Sequence, residues 1–291
     1  MTLTCVKRKE ETMSHLIAKN IMINMVAELI AEKYKLSLKE ARIELYRSEI
    51  ISLLDDDETG LYGESPLYVF SLYEYYKAKP VFIWDLDGTL IDSYDIIVDS
   101  LCRIYKEKIG IELNREDVYK EAIRYSVGHF IQGMEKQTGI KFDELKDRYS
   151  QISGEEKLKI KPMKHAIEIL EYLKEQGIHS YVFTHRGKST EPVLRNIKIY
   201  DYFDEIITSV DPTFARKPLP DSINYLVDKY HLDKNNTYYV GDRSMDIECA
   251  NNAHIKSIMF LPKDGYGLAT GKETYIIEDL LDIKDIIKKA Q

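Results

Sequence analysis

Cysteine is scarce in this 291-residue chain, and tryptophan occurs once. The three cysteines, Cys5, Cys102 and Cys249, are odd in number and far apart, which excludes a disulfide framework and a zinc-type ligand pattern. Their free thiols predict a reducing, cytoplasmic setting. Long apolar runs are also missing. The best, residues 21–30, is broken by Asn24 and Glu28 and falls short of the roughly 20 residues that span a bilayer. No apolar core of signal-peptide type follows the first basic residues. There is no basic excess either: 41 Lys and Arg face 49 Asp and Glu, a net charge of −8. Such a chain repels phosphate backbones unless it carries a local basic stripe. Lys7-Arg8-Lys9 runs straight into Glu10-Glu11, and the C-terminal lysines are interleaved with Asp and Ile, so neither nucleic acid nor membrane is an expected partner. What remains is a composition, 44% apolar and 31% charged, that supports a packed core and excludes a disordered or fibrous chain. At about 150 residues per domain, the length predicts two domains.

Residues 1–79 read as a helical module. Ile17, Ile21, Met25, Leu29 and Ile30 recur at helix spacing, which predicts that they form the buried face. Ser37-Leu38-Lys39-Glu40 is a capping-box pattern, predicting a second helix that runs to about Leu54. Asp55-Asp56-Asp57-Glu58 lacks the alternating spacing of a calcium loop and reads as a solvated helix end. A third helix is expected over residues 66–76. No catalytic pattern occurs in this module. Its excess of Tyr and Leu after Gly63 is compatible with a homodimer surface or a protein partner.

At Lys79-Pro80 the texture changes. Short apolar runs at 81–84, 180–183, 205–207, 237–240 and 257–260 alternate with helical stretches. That alternation predicts an α/β fold, a parallel sheet covered on both faces, with its ligand site beyond the carboxyl ends of the strands. Between Asp92 and about Lys161 the strand signal disappears. Helices are expected over 96–109, 115–123 and 142–152, with turns near Gly110, Gly128 and Gly139. The reading is therefore a core of residues 80–93 and 160–291, with a helical insertion, 94–159, placed to act as a lid.

Each strand end delivers a polar group. The first ends in Asp85-Leu86-Asp87-Gly88-Thr89-Leu90, the second at Thr184-His185-Arg186. Arg216-Lys217-Pro218 follows the third, and Gly241-Asp242-Arg243-Ser244-Met245-Asp246 closes the fourth. Carboxylates, a hydroxyl and an ammonium in one place suit phosphoryl transfer. A carboxylate can act as nucleophile, clustered carboxylates are joined by a hard cation such as Mg²⁺, and ammonium and hydroxyl hold the transferring oxygens. Each element alone is a weak signal; four in order after four strands are specific.

On these motifs, residues 80 to about 270 resemble the haloacid-dehalogenase superfamily, nearest its phosphoglycolate-phosphatase-like members. The resemblance implies a Rossmann-like core with an α-helical cap. It also implies Asp85 as nucleophile and Asp87 as the general acid that later serves as base. Thr184 and Lys217 would bind phosphoryl oxygens. Mg²⁺ would be held by Asp85, the Asp87 carbonyl and Asp242, with Asp246 orienting Lys217 or a bound water. The acid at Asp87 separates phosphatases from the family's ion-pumping ATPases and its dehalogenases. His185 and Arg186 depart from the Asn and small or basic residues many relatives carry there, and both are candidate substrate contacts. Arg243 is expected to cap or pair locally, with a substrate contact as the alternative.

The function implied is a Mg²⁺-dependent phosphatase of a small phosphorylated metabolite. Arg124, Tyr125, Ser126 and His129 are candidate readers of the leaving group. A phosphosugar mutase of the beta-phosphoglucomutase kind shares every core motif, but the hinge Ser93-Tyr94-Asp95 lacks the extra histidine such mutases use. A phosphonate hydrolase would need a cap lysine, Lys106, Lys108 or Lys120, facing the site. The reading from another class is a regulatory protein acting through the N-terminal helices. Turnover of an aryl phosphate with Mg²⁺ discriminates it from the enzyme.

Overall fold

The computed structural model describes the backbone of residues 3–263 and 265–290, and side chains within 14–263 and 265–289. The Cys5 thiol and the side chains of the Lys7 to Glu11 charge run lie outside the described residues. The chain forms two compact units, Met1–Lys79 and Pro80–Gln291.

The first unit contains α1 (Leu3–Tyr34), α2 (Leu38–Tyr46), α3 (Glu49–Asp55) and α4 (Pro66–Lys77). The capping box forms: Ser37 Oγ accepts the Glu40 N–H at 3.2 Å, and the Glu40 carboxylate accepts the Ser37 N–H at 2.8 Å. Two expectations are corrected here. The second helix does not run unbroken to Leu54; it stops at Tyr46, and Ser48 turns its hydroxyl back to the Leu45 carbonyl at 2.7 Å before α3 begins. A serine in this position offers the backbone an alternative to helical bonds. The buried face of α1 is also different. Met22, Ile23, Val26, Ala27 and Ile30 are inside, whereas Ile17, Ile21 and Met25 are exposed. Apolar residues stand on several faces of that stretch, so spacing alone did not select one. In the acidic run, Asp56 caps a short turn through the Glu58 N–H at 3.0 Å and Asp57 pairs with Lys19 at 2.8 Å.

The second unit runs β1 (Val81–Trp84), β2 (Ile91–Asp92), α5 (Tyr94–Ile109), α6 (Arg115–Arg124), α7 (Val127–Thr138), α8 (Phe142–Glu156), β3 (Lys161–Pro162) and α9 (Ala166–Glu175). It continues through β4 (Ser180–Phe183), α10 (Thr190–Asn196), β5 (Glu205–Ile207), α11 (Asp221–Tyr230), β6 (Thr237–Gly241), α12 (Ser244–Ala253), β7 (Lys256–Phe260), β8 (Tyr275–Ile277) and α13 (Ile283–Ala290). The long strands form one parallel sheet in the order β5-β4-β1-β6-β7-β8. Successive side chains of a strand alternate between its faces. Phe82, Trp84, Tyr238 and Val240 accordingly join one apolar core, and Ile83, Tyr181, Phe183 and Tyr239 the other. Both faces are thus covered, as a parallel sheet requires. The fold is Rossmann-like α/β. The strand β8 (Tyr275–Ile277) was not among the expected strands.

Helices α5 to α8 bury a core of their own around Val98, Leu101, Ile104, Met134 and Leu145. Gly110 and Gly139 end α5 and α7 in the left-handed region, at φ 76° and 73°. The turn expected near Gly128 falls at Tyr125-Ser126, between α6 and α7; Gly128 itself lies in the first turn of α7, a helix not expected from the sequence, whose N-cap Ser126 accepts the His129 N–H at 3.3 Å. The chain leaves and re-enters the core side by side, because β2 and β3 pair antiparallel, Ile91 opposite Pro162 and Asp92 opposite Lys161.

Candidate active site

The order β4-β1-β6 places three strand ends next to one another, so the residues that follow them meet. Trp84 pairs with Val182 on one side and Val240 on the other. The Asp85 N–H still donates to the Val240 carbonyl at 2.9 Å, which keeps Asp85 in the ladder and sets its carboxylate at the carboxyl edge of the sheet. Gly88 then turns the chain at φ 83°. A Cβ there would lie 2.3 Å from the Tyr94 ring and 2.5 Å from Asp242 Oδ2, so only glycine fits.

Lys217 Nζ lies 2.6 Å from Asp85 Oδ1 and 2.8 Å from Asp246 Oδ1, and none of the three side chains is more than 1% exposed. Asp246 Oδ2 accepts the Arg243 N–H at 3.1 Å, which uses both its oxygens. Asp242 accepts the Tyr94 hydroxyl at 2.7 Å and the Thr89 hydroxyl at 3.3 Å. Burial, partly offset by Lys217, pushes the Asp85 carboxyl up to about 6. Burial, partly offset by Arg243, pushes Asp242 up to about 7. Burial alone would lower the Lys217 ammonium, but Asp246 and Asp85 outweigh it and hold it above its ordinary value. Lys217 is therefore a fixed cation.

One acceptor in this cluster, Asp85 Oδ2, is buried without a partner. A buried acceptor left unpaired costs about 1–3 kcal/mol, more when charged. Carboxylate oxygens of Asp85, Asp242 and Asp246 lie within 4.8 Å of one another, and among the described residues no other group of three acids or thiols is so placed. An oxygen-only donor set around an orphan carboxylate oxygen fits a hard divalent cation. Both oxygens of Asp242 and both of Asp246 accept protein hydrogen bonds, so Asp85 Oδ2 is the one oxygen of the three acids without a protein partner.

Asp87 faces another way. Its Oδ1 accepts the Ser93 hydroxyl at 2.6 Å and pairs with the Arg186 guanidinium. The Tyr149 ring of α8 is half-buried close to this pair, and desolvation chiefly raises its hydroxyl above the ordinary value. Thr184 is buried at the end of β4, and its Oγ1 accepts the Arg186 N–H at 3.1 Å, so its own proton is available to a ligand oxygen. His185 Nε2 accepts the Lys217 N–H at 2.8 Å; this imidazole holds the lysine's loop.

Three of the cap residues singled out from sequence touch one another. Tyr125 stacks on His129 at 4.5 Å between centroids and carries Arg124 at 5.5 Å. Lys106, Lys108 and Lys120 pair with Glu112, Glu144 and Glu116. Cys249 is a core thiol donating to the Leu219 carbonyl at 3.3 Å, and Cys102 is half-buried. Arg243 is the N-cap residue of α12, its N–H donating to Asp246 Oδ2, and its guanidinium, whose buried Nε makes no hydrogen bond, is held charged against its own burial by Tyr94, Asp246, Asp85 and Asp242. Sequence reasoning passed over Tyr94 and Thr89, which hold Asp242, and Ser93, which holds Asp87. Their signal was position: Thr89 lies in the first strand-end motif, and Ser93 and Tyr94 are the first residues after the hinge.

Comparison with known proteins follows this geometry. The family model of haloacid dehalogenase-like hydrolases matches residues 82–260. A pyrophosphatase PpaX of Oceanobacillus iheyensis is 28% identical over 214 residues, covering 70% of this chain and 95% of the relative. A phosphoglycolate phosphatase of Pseudomonas putida is 24% identical, over 68% of this chain and 76% of the relative. A haloacid dehalogenase-like family protein of Streptococcus pneumoniae shares the fold at TM-score 0.62 and 19% identity, over 72% of this chain and 98% of its own. The chain belongs to the haloacid dehalogenase-like hydrolase family and is a hydrolase of the phosphatase type.

Proposed function

We propose that this protein is a Mg²⁺-dependent phosphatase of a small phosphorylated metabolite that works through an aspartyl-phosphate at Asp85. The observation that carries the reading is the unpartnered Asp85 Oδ2 beside Lys217 and the Asp242 carboxylate. In the first step Asp85 attacks phosphorus and the ester P–O bond breaks. Asp87 gives its proton to the departing oxygen. In the second step water attacks phosphorus, the bond to Asp85 breaks, and Asp87 takes the proton of the water. Thr184 and Lys217 bind the equatorial oxygens; Asp246 positions Lys217. Mg²⁺, held by Asp85, Asp242 and the Asp87 carbonyl, would supply charge neutralisation for the developing phosphoryl oxygens.

In this reading α5 to α8 form a cap over the strand ends, hinged at β2 and β3, and residues 1–79 are a separate accessory domain. Exposed Leu67, Tyr68 and Tyr75 of α4 support a protein-contact role for that domain. The free thiols of Cys102 and Cys249 support a reducing, cytoplasmic setting. The mutase reading gains nothing from the hinge, where Ser93 and Tyr94 bind Asp87 and Asp242. The test is steady-state hydrolysis of p-nitrophenyl phosphate by the full chain. Turnover with Mg²⁺ that disappears in Asp85→Asn supports the proposal; undiminished turnover in excess chelator refutes it.

A further inference from the structure

Arg186, a candidate substrate contact by sequence, meets an acid instead. Its guanidinium pairs through Nη1 with Asp87 Oδ1, and the two side chains are only 12% and 19% exposed. The Ser93 hydroxyl donates to that same oxygen at 2.6 Å. One oxygen of Asp87 is thus gripped from two directions, by the loop after β4 and by the residue that precedes α5. An oxygen that accepts two donors is occupied as an acceptor. Oδ2, which accepts no hydrogen bond among the described residues, is the oxygen left to face a departing group.

The backbone of Arg186 is tied to the other side of the reaction. Its N–H donates to Thr184 Oγ1 at 3.1 Å, and in the phosphatase reading Thr184 holds the transferring oxygens. Arg186 therefore joins the group that binds the phosphoryl oxygens to the group that protonates the leaving oxygen. Stability does not account for the arrangement. An ion pair withdrawn from water gives back in desolvation much of what its attraction supplies. The Arg186 Nε is moreover buried with no hydrogen-bond partner, a loss to the folded state that the contact with Asp87 imposes.

We propose that Arg186 is a positioning residue: it fixes the Asp87 carboxyl with Oδ2 toward the leaving oxygen, and acts on the reaction through Asp87 rather than by holding substrate. The inference rests on the phosphatase reading and adds to it the residue that aims its acid.

Comparison of kcat/KM for p-nitrophenyl phosphate and phenyl phosphate in the full chain tests it, because phenoxide is the more basic leaving group and needs the proton more. Misplacing a catalytic group by about 1 Å costs on the order of 100-fold. Arg186→Met should accordingly lower kcat/KM about 100-fold for phenyl phosphate and less than about tenfold for p-nitrophenyl phosphate, with an unchanged circular dichroism spectrum. Arg186→Lys, which keeps the cation, should show a smaller loss with the same bias. On an Asp87→Asn background, Arg186→Met should add less than about threefold for phenyl phosphate, since the group it aims is already gone. Equal losses on the two esters in either variant, no loss on either ester, or a full further loss on the Asp87→Asn background overturns the assignment. A wild-type chain that hydrolyses neither ester overturns the phosphatase reading itself, and the assignment with it.

Discussion

The Tyr94 hydroxyl donates to Asp242 Oδ2 at 2.7 Å. Tyr94 is the first residue of α5, and Asp242 follows the last residue of β6, so this bond ties the start of the helical insertion to the acidic cluster. The Tyr94 ring also lies 5.6 Å from that of Tyr119 in α6, which in turn meets Tyr266 at 5.3 Å. The insertion is thereby fastened to the core beside the carboxylates.

Tyr94→Phe removes the hydroxyl and leaves the ring. A hydrogen bond to a carboxylate is worth about 1.5–3 kcal/mol, so the metal-free protein should melt several degrees lower. The freed Asp242 oxygen should lower the Mg²⁺ concentration for half-maximal activity. Melting curves and a Mg²⁺ titration check both; an unchanged titration contradicts the competition.

Gly88→Ala places a Cβ inside the Tyr94 ring and the Asp242 carboxylate at a positive φ. Strain of about 1–3 kcal/mol is expected from the backbone alone. The overlap should in addition move Asp242 and reduce kcat by at least about 100-fold. Wild-type kcat in this variant would show that the turn tolerates a side chain.

Lys217→Ala leaves Asp85 and Asp246 buried with no cation between them. Removing one partner of a buried pair costs about 3–5 kcal/mol. Denaturant unfolding should show that loss, larger at pH 8 than at pH 5, where the Asp85 carboxyl, raised by burial, can take up a proton. A loss independent of pH contradicts the pairing.

The raised Asp85 and Asp242 carboxyls also set a pH dependence in the wild type. A folded-state value of about 6 or 7, above the ordinary 3.8, means the folded protein binds more protons than the unfolded one between those values. This contribution to stability is therefore complete below the ordinary value and lost as pH rises through about 6 to 7. Mg²⁺ must displace the same protons. The rise in Tm on adding Mg²⁺ should accordingly grow from pH 5.5 to pH 8. A constant increment across that range contradicts the metal assignment.

A chain beginning at Ala78 retains every element from Asp85 to Asp246. It should fold by circular dichroism and hydrolyse an aryl phosphate with kcat within about tenfold of the full chain, ~1.4 kcal/mol of barrier. A folded but slower protein assigns the 77 removed residues a part in catalysis.

The four strand-end motifs were legible because a parallel sheet gathers the residues that follow its strands, whatever their distance in sequence. Runs such as Val81–Trp84 and Ser180–Phe183 are bounded by polar residues that mark both ends. The pairs that fasten the site were not legible. Tyr94 to Asp242 spans 148 positions, and no local pattern reports a contact at that separation. The two-residue strands β2 and β3 exist only through each other. The buried face of α1 depended on which neighbours covered it.

The central claim is that Asp85 carries the phosphoryl group. A single turnover of a phosphate ester, quenched in acid and reduced with borohydride, tests it through peptide mass spectrometry. Reduction of an acyl phosphate converts the aspartate to homoserine, and the account predicts homoserine at position 85, dependent on substrate and Mg²⁺. Product formed in full with Asp85 unmodified, or the modification on another carboxylate, contradicts it.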